Sequence, residues 1–217
     1  MKILFIAGWV NLGEDNYINI DYIRDDITYF MYTRTEKMAS IESRLLKEFN
    51  EDTYDWIIAN SMGAFFASRL LTKCLQKQNV LFICPYIEPS MSTRIMSAIP
   101  FRYIPNWNII SNIKFTYRID YIDIFRFGLM TTQLLKSVNK NMNINTFLKT
   151  YKNHNVSVIY GTEDTVAKMS PMTIANLMTT CKVYPIFSKH SPFLDDDMIQ
   201  QNLKRLILTI LTNCAQK

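Results

Sequence analysis

A short apolar run that turns sharply into a helix constrains this chain more than any other feature. Residues 56–59 read Trp-Ile-Ile-Ala, which is typical of a buried β-strand, and a tight turn through residues 60–63 follows. From Ala64 to Leu71, apolar residues recur at helical spacing without proline or glycine. This stretch therefore predicts a strand that leads directly into a helix, with Ser61 at the apex of the turn.

Small residues flank Ser61 on both sides. Ala59 lies two positions before the serine and Gly63 two positions after it, so a strand and a helix can approach each other closely. The pattern is Ala-x-Ser-x-Gly, a variant of the Gly-x-Ser-x-Gly turn that presents a nucleophilic serine. A serine that only caps the helix is equally compatible with this stretch alone, since serine is a favoured N-cap residue.

Strand patterns alternate with helical patterns along most of the chain. The predicted strands are residues 1–7, 27–32, 56–59, 79–84, 156–160 and 182–187. This alternation predicts an α/β fold with a sheet of about six mainly parallel strands and helices on both faces. Pro185 cannot donate a hydrogen bond to a neighbouring strand, so we expect the sixth strand at a sheet edge.

The helices that follow these strands have recognisable signals. The helix after Ser61 is expected to continue to about Lys77, because no helix breaker interrupts it. Ser170 followed by Pro171 predicts an N-cap and a first helical residue. The C-terminal helix is expected to carry the aspartates of residues 195–197 in its first turn, where the helix dipole favours negative charge.

The alternation breaks between Tyr86 and Thr150. This segment carries eight lysines and arginines against three acidic residues, which gives +5 and accounts for the whole net charge of the chain. We interpret it as a mainly helical lid inserted after the fourth strand, over the carboxyl edge where open α/β sheets place their sites. The predicted units are a core of residues 1–85 and 151–217 and a lid of residues 86–150.

Length and composition exclude several classes of protein. A chain of 217 residues with 48% hydrophobic and 20% charged residues is typical of a single soluble globular domain. No apolar run is long enough to span a bilayer. The four cysteines are scattered and lack metal-ligand spacing, so we expect reduced thiols. Together these features predict a cytoplasmic protein.

The chain has two histidines that could serve as a catalytic base for a serine nucleophile. His154 lies in a polar run before the fifth strand, at the amino edge of the predicted sheet, and is interpreted as a solvated loop residue. His190 follows the sixth strand, at the same carboxyl edge as Ser61. Because imidazole exchanges protons near neutral pH, His190 is the candidate general base.

The remaining parts of a serine-nucleophile site have candidates as well. Asp164, three residues after Gly161, is the candidate carboxylate that orients the base, with Glu163 as an alternative. An aspartate that only caps a turn is also compatible with this position. The backbone N–H groups of Met62 and Trp9 are the candidate donors to an oxyanion.

Four segments together resemble the α/β-hydrolase superfamily: Ala7-Gly8-Trp9, Ala59-Asn-Ser-Met-Gly63, Gly161-Thr-Glu-Asp164 and Lys189-His-Ser-Pro-Phe-Leu194. The last differs from the family's usual loop in having lysine instead of glycine. The chain begins at the strand before the oxyanion loop, so the family's first two strands are expected to be absent. The resemblance implies a serine hydrolase with a Ser61–His190–Asp164 triad and an acyl-enzyme intermediate, chemistry that needs no metal or organic cofactor.

Within the superfamily, the Gly-Trp loop and the compact size are similar to the esterases that cleave the methyl ester of pimeloyl-acyl carrier protein in biotin synthesis. The resemblance suggests that aromatic lid residues line an acyl pocket and that basic ones face an acidic acyl carrier protein. The candidates are Phe101, Trp107, Arg118, Phe125 and Arg126. A self-packed lid core and a solvated basic face are the alternatives.

Two other functions remain compatible with the sequence. The first is an acyl thioesterase, which would use the same residues. The second is a non-catalytic binding protein, since a fold does not by itself imply a function. Nucleic-acid binding is disfavoured, because the basic residues of the lid are spread among apolar ones and form no recognisable module.

Overall fold

The computed structural model describes residues 1–8, 26–32, 36–87, 134, 137–138, 140–141, 144–190 and 192–214. In this part of the chain, six strands form one sheet in the order β2-β1-β3-β4-β5-β6, and all neighbouring strands are parallel. The strands are β1 (Lys2–Ile6), β2 (Asp26–Phe30), β3 (Trp56–Asn60), β4 (Asn79–Ile83), β5 (Asn155–Gly161) and β6 (Lys182–Ile186). The predicted parallel sheet is confirmed, and Pro185 lies on an edge strand as expected.

Helices cover both faces of this sheet. They are α1 (Met38–Glu51), α2 (Gly63–Leu71), α3 (Ile144–Tyr151), α4 (Pro171–Met178) and α5 (Asp197–Cys214), with a short 3₁₀ turn at Pro192–Leu194. Helices α1 to α4 contribute to one buried apolar cluster, and α5 contributes to the other. Among the described helices, none has the length and apolar character needed to cross a membrane.

The pleat of the sheet explains why its central strands are mainly apolar. Leu4 and Ile6 of β1 belong to the cluster under α1 to α4, whereas Ile3 and Phe5 belong to the cluster under α5. Successive side chains of a strand point to opposite faces, and here both faces are covered. An uninterrupted apolar run is therefore the pattern that this sheet requires.

Helix α2 ends earlier than the sequence predicts. It stops at Leu71 rather than near Lys77, and the Thr72 hydroxyl donates to the carbonyl oxygen of Arg69 at 2.7 Å. The N–H groups of residues 73 and 74 then turn to carbonyls three positions back, which tightens the last turn. Leu75 is fully exposed, so this residue contributes no apolar packing that would favour a longer helix.

The start of α5 also differs from the prediction. Only Asp197 lies in the first turn, while Asp195 and Asp196 precede the helix. The Asp196 carboxylate accepts a hydrogen bond from the Ile199 N–H at 3.0 Å, so this aspartate caps the helix instead of extending it. The expected cap at α4 is confirmed, since the Ser170 hydroxyl oxygen accepts from the Thr173 N–H at 3.2 Å.

Helix α3 falls almost entirely within the range predicted as a lid. Its Phe147 and Tyr151 side chains pack on Phe82 of β4, with ring centroids 5.6 and 5.1 Å away. The segment before β5 thus contributes directly to the core of the sheet. Residues 88–133 lie outside the described residues, and the division of the chain at residues 86 and 150 remains a prediction.

Candidate active site

The turn after β3 holds Ser61 in an uncommon backbone conformation. Ser61 has φ = 50°, in the left-handed region that few residues other than glycine adopt. Its N–H donates to the carbonyl oxygen of Ile83, and its own carbonyl accepts from the N–H groups of Ala64 and Tyr86 at 3.1 and 3.0 Å. Hydrogen bonds on both sides of the residue maintain the strain, a situation that is common at functional sites.

Two glycines allow the chain to close around Ser61. A Cβ atom on Gly63 would lie 2.4 Å from the carbonyl oxygen of Ile6 and 2.5 Å from that of Ala7, so only glycine lets α2 start this close to β1. A Cβ atom on Gly8 would lie 3.1 Å from the Ser61 Cβ. The loop that follows β1 therefore reaches the serine directly.

Ser61, His190 and Asp164 form one continuous hydrogen-bonded relay. The Ser61 Oγ and His190 Nε2 atoms are 2.6 Å apart, and the His190 Nδ1 and Asp164 Oδ2 atoms are 2.7 Å apart. Since Nδ1 faces a carboxylate, we assign the ring proton to Nδ1, which leaves Nε2 to accept the hydroxyl proton of the serine. The structure thus brings together the three side chains that the sequence singled out.

The Asp164 carboxylate is buried, and both of its oxygen atoms have hydrogen-bond partners. Its Oδ1 atom accepts hydrogen bonds from the N–H groups of Val166 and Ala167, both at 2.8 Å, and the residue is only 3% exposed. Burial raises the pKa of this carboxyl. The hydrogen bond and charge of His190, together with the two N–H groups, outweigh burial and hold the pKa below its ordinary value of 3.8. The alternative Glu163 is exposed, and the imidazole Nδ1 atom contacts Asp164 instead.

A donor for an oxyanion is present beside the serine. Met62 is the N-cap of α2, and its N–H has no hydrogen-bond acceptor among the residues that the structure describes. The N–H groups at a helix start point away from the helix and favour a negative charge. Trp9, the second predicted donor, lies outside the described residues, although Gly8 before it lies against Ser61.

His154 is a structural residue, but the prediction that it is solvated is wrong. It is 7% exposed, and its Nδ1 atom accepts a hydrogen bond from the Gln78 N–H at 3.2 Å. Burial, aided by the nearby charge of Lys77, lowers its pKa. The polar neighbours in the sequence suggested an exposed loop, yet this ring ties the chain before β4 to the chain before β5.

The predicted lid residues Phe101, Trp107, Arg118, Phe125 and Arg126 all lie outside the described residues. Their role in substrate or carrier-protein binding remains a prediction. Within the described part of the chain, no group of three or more histidine, cysteine, aspartate or glutamate residues is placed to hold a metal ion.

Two residues near the site have structural roles that the sequence did not indicate. Asn60 is buried, and its side-chain amide donates to the carbonyl oxygen of Ile83 at 3.0 Å, which fixes the turn after β3 to β4. Cys84, at the end of β4, is buried and has φ = 45°. Nothing in the residue pattern signals the strain at Cys84, because it stands at the end of an ordinary apolar run.

Comparisons with known proteins give matches at the level of structure. No protein-family model matches the chain, and the search of curated proteins found no match either. The monoacylglycerol lipase of Paleococcus ferrophilus superposes with a TM-score of 0.60 at 13% identity, covering 97% of this chain and 94% of that one. A hydrolase from Pseudomonas aeruginosa gives a TM-score of 0.64 at 10% identity, covering 97% and 89%.

A third solved structure, the N-formylmaleamic acid deformylase of Pseudomonas putida, matches with a TM-score of 0.58 at 12% identity, covering 94% of this chain and 90% of that one. At such identities the likeness establishes the fold and nothing about the substrate. The matches extend over nearly the whole chain, in agreement with the parallel sheet and the helices that cover it. The chain therefore has the α/β-hydrolase fold.

Proposed function

We propose that this protein is a serine hydrolase that cleaves a carboxylic ester through an acyl-enzyme. The observation that carries the proposal is the relay from Ser61 through His190 to Asp164, with contacts of 2.6 and 2.7 Å. A nucleophile, a base within hydrogen-bond reach and a group that orients the base are the requirements for this chemistry. The solved structures with the same fold include enzymes described as lipases and hydrolases, which supports the same class.

The first half of the reaction would form the acyl-enzyme. His190 Nε2 takes the hydroxyl proton as Ser61 Oγ attacks the ester carbonyl, and the carbonyl oxygen becomes an oxyanion. The Met62 N–H and a donor from the loop after β1 would stabilise that charge. Collapse of the intermediate breaks the bond to the alcohol oxygen, and the imidazolium returns its proton to the departing alcohol.

The second half would release the acid. His190 takes a proton from a water molecule, which attacks the acyl carbonyl, and collapse of the second tetrahedral intermediate returns the proton to Ser61 Oγ. Throughout both halves, the ionised Asp164 would keep the imidazole in one tautomer and stabilise its positive form. The low pKa of this carboxyl supports the role, since Asp164 remains an anion at neutral pH.

A non-catalytic binding protein of the same fold is the competing function. A binding role would require neither the strained conformation of Ser61 nor the alignment of three side chains from separate strand ends. Strain of this kind costs of the order of 1–3 kcal/mol and persists where the surroundings enforce it. The arrangement therefore favours catalysis over binding alone.

Labelling with a fluorophosphonate probe tests the proposal directly. We expect the purified protein to be modified at Ser61, as located by mass spectrometry of the labelled peptide. Ser61→Ala should abolish labelling, and His190→Ala should slow it by roughly 1,000-fold, because the nucleophile loses its base. His154→Gln is the matched control, since it alters the other histidine far from the relay.

Labelling that persists at another residue in Ser61→Ala would contradict the proposal. A wild-type protein that is folded and does not react would favour the binding function. Labelling rates must be compared per folded molecule, because His154 is buried and we expect its substitution to lower stability.

We further propose that the substrate is an acyl ester, with the methyl ester of pimeloyl-acyl carrier protein as the specific candidate. The support is the sequence resemblance and the basic composition of residues 86–150. The relay suits an oxygen ester or a thioester equally, so acyl thioester hydrolysis is the alternative. Hydrolysis of an oxygen ester and a thioester of the same acyl chain would separate the two.

Charge reversal tests the carrier-protein part of this proposal. Arg118→Glu combined with Arg126→Glu should slow cleavage of carrier-linked acyl esters by about tenfold, because an acidic partner is steered by basic residues. Cleavage of small p-nitrophenyl esters should not change. Lys204→Glu combined with Arg205→Glu, on α5, is the matched control. Equal effects of the lid variant on both substrates would rule out carrier docking on these arginines.

A further inference from the structure

The peptide before His190 is held by the end of β5. The Ser188 carbonyl accepts a hydrogen bond from the Glu163 N–H at 3.0 Å. A Cβ atom on Gly161 would lie 2.6 Å from the carbonyl oxygens of both Ser188 and Lys189, so the strand end packs directly on this peptide. The position of the imidazole therefore depends on how the backbone of these two residues is anchored.

The two polar backbone atoms of Lys189 have different numbers of hydrogen-bond partners. Its carbonyl oxygen accepts from Ser188 Oγ at 3.1 Å and from Cys84 Sγ at 3.9 Å. Its N–H donates to Asp195 Oδ2 at 3.1 Å, and this carboxylate is its one acceptor in the described part of the chain. If either donor were lost, the Lys189 carbonyl oxygen would keep the other. If the Asp195 carboxylate were lost, the Lys189 N–H would have no acceptor in the described part of the chain.

Asp195 is itself anchored to the core. Gln200 Nε2, in the first turns of α5, donates to the Asp195 carbonyl oxygen at 2.7 Å. Between His190 and Asp195 lies the 3₁₀ turn, whose Phe193 is 3% exposed and packs edge-on against Phe5 of β1 with ring centroids 6.4 Å apart. The carboxylate is therefore presented to the Lys189 N–H from a fixed support.

We propose that Asp195 is a positioning residue: by holding the Lys189 N–H, it keeps the His190 imidazole aligned between Ser61 and Asp164. The inference rests on the proposed serine hydrolase function. Proton transfer depends steeply on alignment, and a misplacement of about 1 Å costs about 100-fold in rate. Because Asp195 acts through the backbone and the carbonyl side of the loop stays anchored, we expect a smaller effect, of about tenfold.

Three variants distinguish the effect of the Asp195 hydrogen bond from the effect of its charge. Asp195→Ala should slow fluorophosphonate labelling of Ser61 by about tenfold. Asp195→Asn should stay within about threefold of the wild type, since its amide oxygen still accepts from an N–H. Asp197→Ala is the matched control, because it removes an exposed carboxylate two residues away that lies in the first turn of α5. It should label at the wild-type rate.

A second measurement does not depend on reactivity. The Nδ1 proton of His190, hydrogen-bonded to Asp164, should give a low-field proton NMR signal in the folded protein. We expect this signal to broaden through faster exchange with solvent in Asp195→Ala and to persist in Asp195→Asn. If the wild type fails to label, the proposed hydrolase function fails, and the NMR signal alone decides the positioning role.

Several outcomes would overturn the proposal. One is an Asp195→Ala variant with the wild-type labelling rate and an unchanged low-field signal. Another is equal slowing in Asp195→Ala and Asp195→Asn, which would assign the effect to charge. Loss of the folded state in Asp195→Ala, monitored by circular dichroism, would make Asp195 a residue of the fold instead.

Discussion

At the scale of single residues, the site depends on conformations and contacts that the sequence indicates unequally. The small residues around Ser61 predict a tight turn, and the order of serine, acid and histidine predicts the relay partners. The strain at Cys84 and the contact from Asp195 to the Lys189 N–H have no comparable signal. Both arise from how neighbouring loops meet in three dimensions, which residue spacing does not encode.

Asp164 should make the stability of the protein depend on pH. The folded-state pKa of its carboxyl is lowered, so the ionised form stabilises the folded state at pH values above the ordinary 3.8. That contribution is lost as the pH falls through the lower folded value. We expect Asp164→Asn to reduce the free energy of unfolding by about 2 kcal/mol at neutral pH. The difference in the free energy of unfolding between Asp164→Asn and the wild type should become smaller below pH 4.

Urea unfolding at a series of pH values measures this effect. Asp197→Asn, which removes an exposed carboxylate, serves as the control and should run parallel to the wild type. A constant gap between Asp164→Asn and the wild type from neutral pH to pH 2 would contradict the predicted linkage, because it would assign the loss to packing rather than to ionisation.

At the scale of elements, apolar runs predicted the strands well and helix ends poorly. The strands β1, β3 and β4 are short, mainly apolar runs, as a sheet covered on both faces requires. At the end of α2, the Thr72 hydroxyl donates to the Arg69 carbonyl and Leu75 is exposed, and helical periodicity in the sequence reports neither feature. The sequence places α3 in the predicted lid, because residues 86–150 show no strand pattern that would separate this helix from the rest of the segment.

The packing of α3 on β4 should contribute substantially to stability. Phe147 is buried between the Phe82 and Tyr151 rings, with ring centroids 5.6 and 4.2 Å away. Phe147→Ala should lower the free energy of unfolding by about 3–5 kcal/mol, through lost burial and a cavity. Phe187→Ala, at a position that is 72% exposed, should change it by less than about 0.5 kcal/mol. Similar values for the two variants in chemical denaturation would show that α3 is not part of the cooperative core.

At the scale of the whole molecule, the parallel sheet explains why sequence reasoning located the relay at all. The carboxyl ends of parallel strands meet at one edge, so residues that follow β3, β5 and β6 become neighbours although Ser61 and His190 are 129 positions apart. The amino edge, where His154 lies, is thereby separated from the chemistry. No such topological rule applies to the predicted lid, and its proposed contacts with a carrier protein therefore rest on resemblance and charge.

The chain can be divided between β4 and β5 into two parts, which the pairing of these two strands holds together. Ser61 belongs to the part that ends with β4, whereas Asp164 and His190 belong to the part that begins with α3. A cut in the intervening segment would place the nucleophile on one polypeptide and its base and acid on the other. If the proposed hydrolase activity is confirmed, its recovery on mixing the two polypeptides would report reassembly of the sheet, as in a split enzymatic sensor.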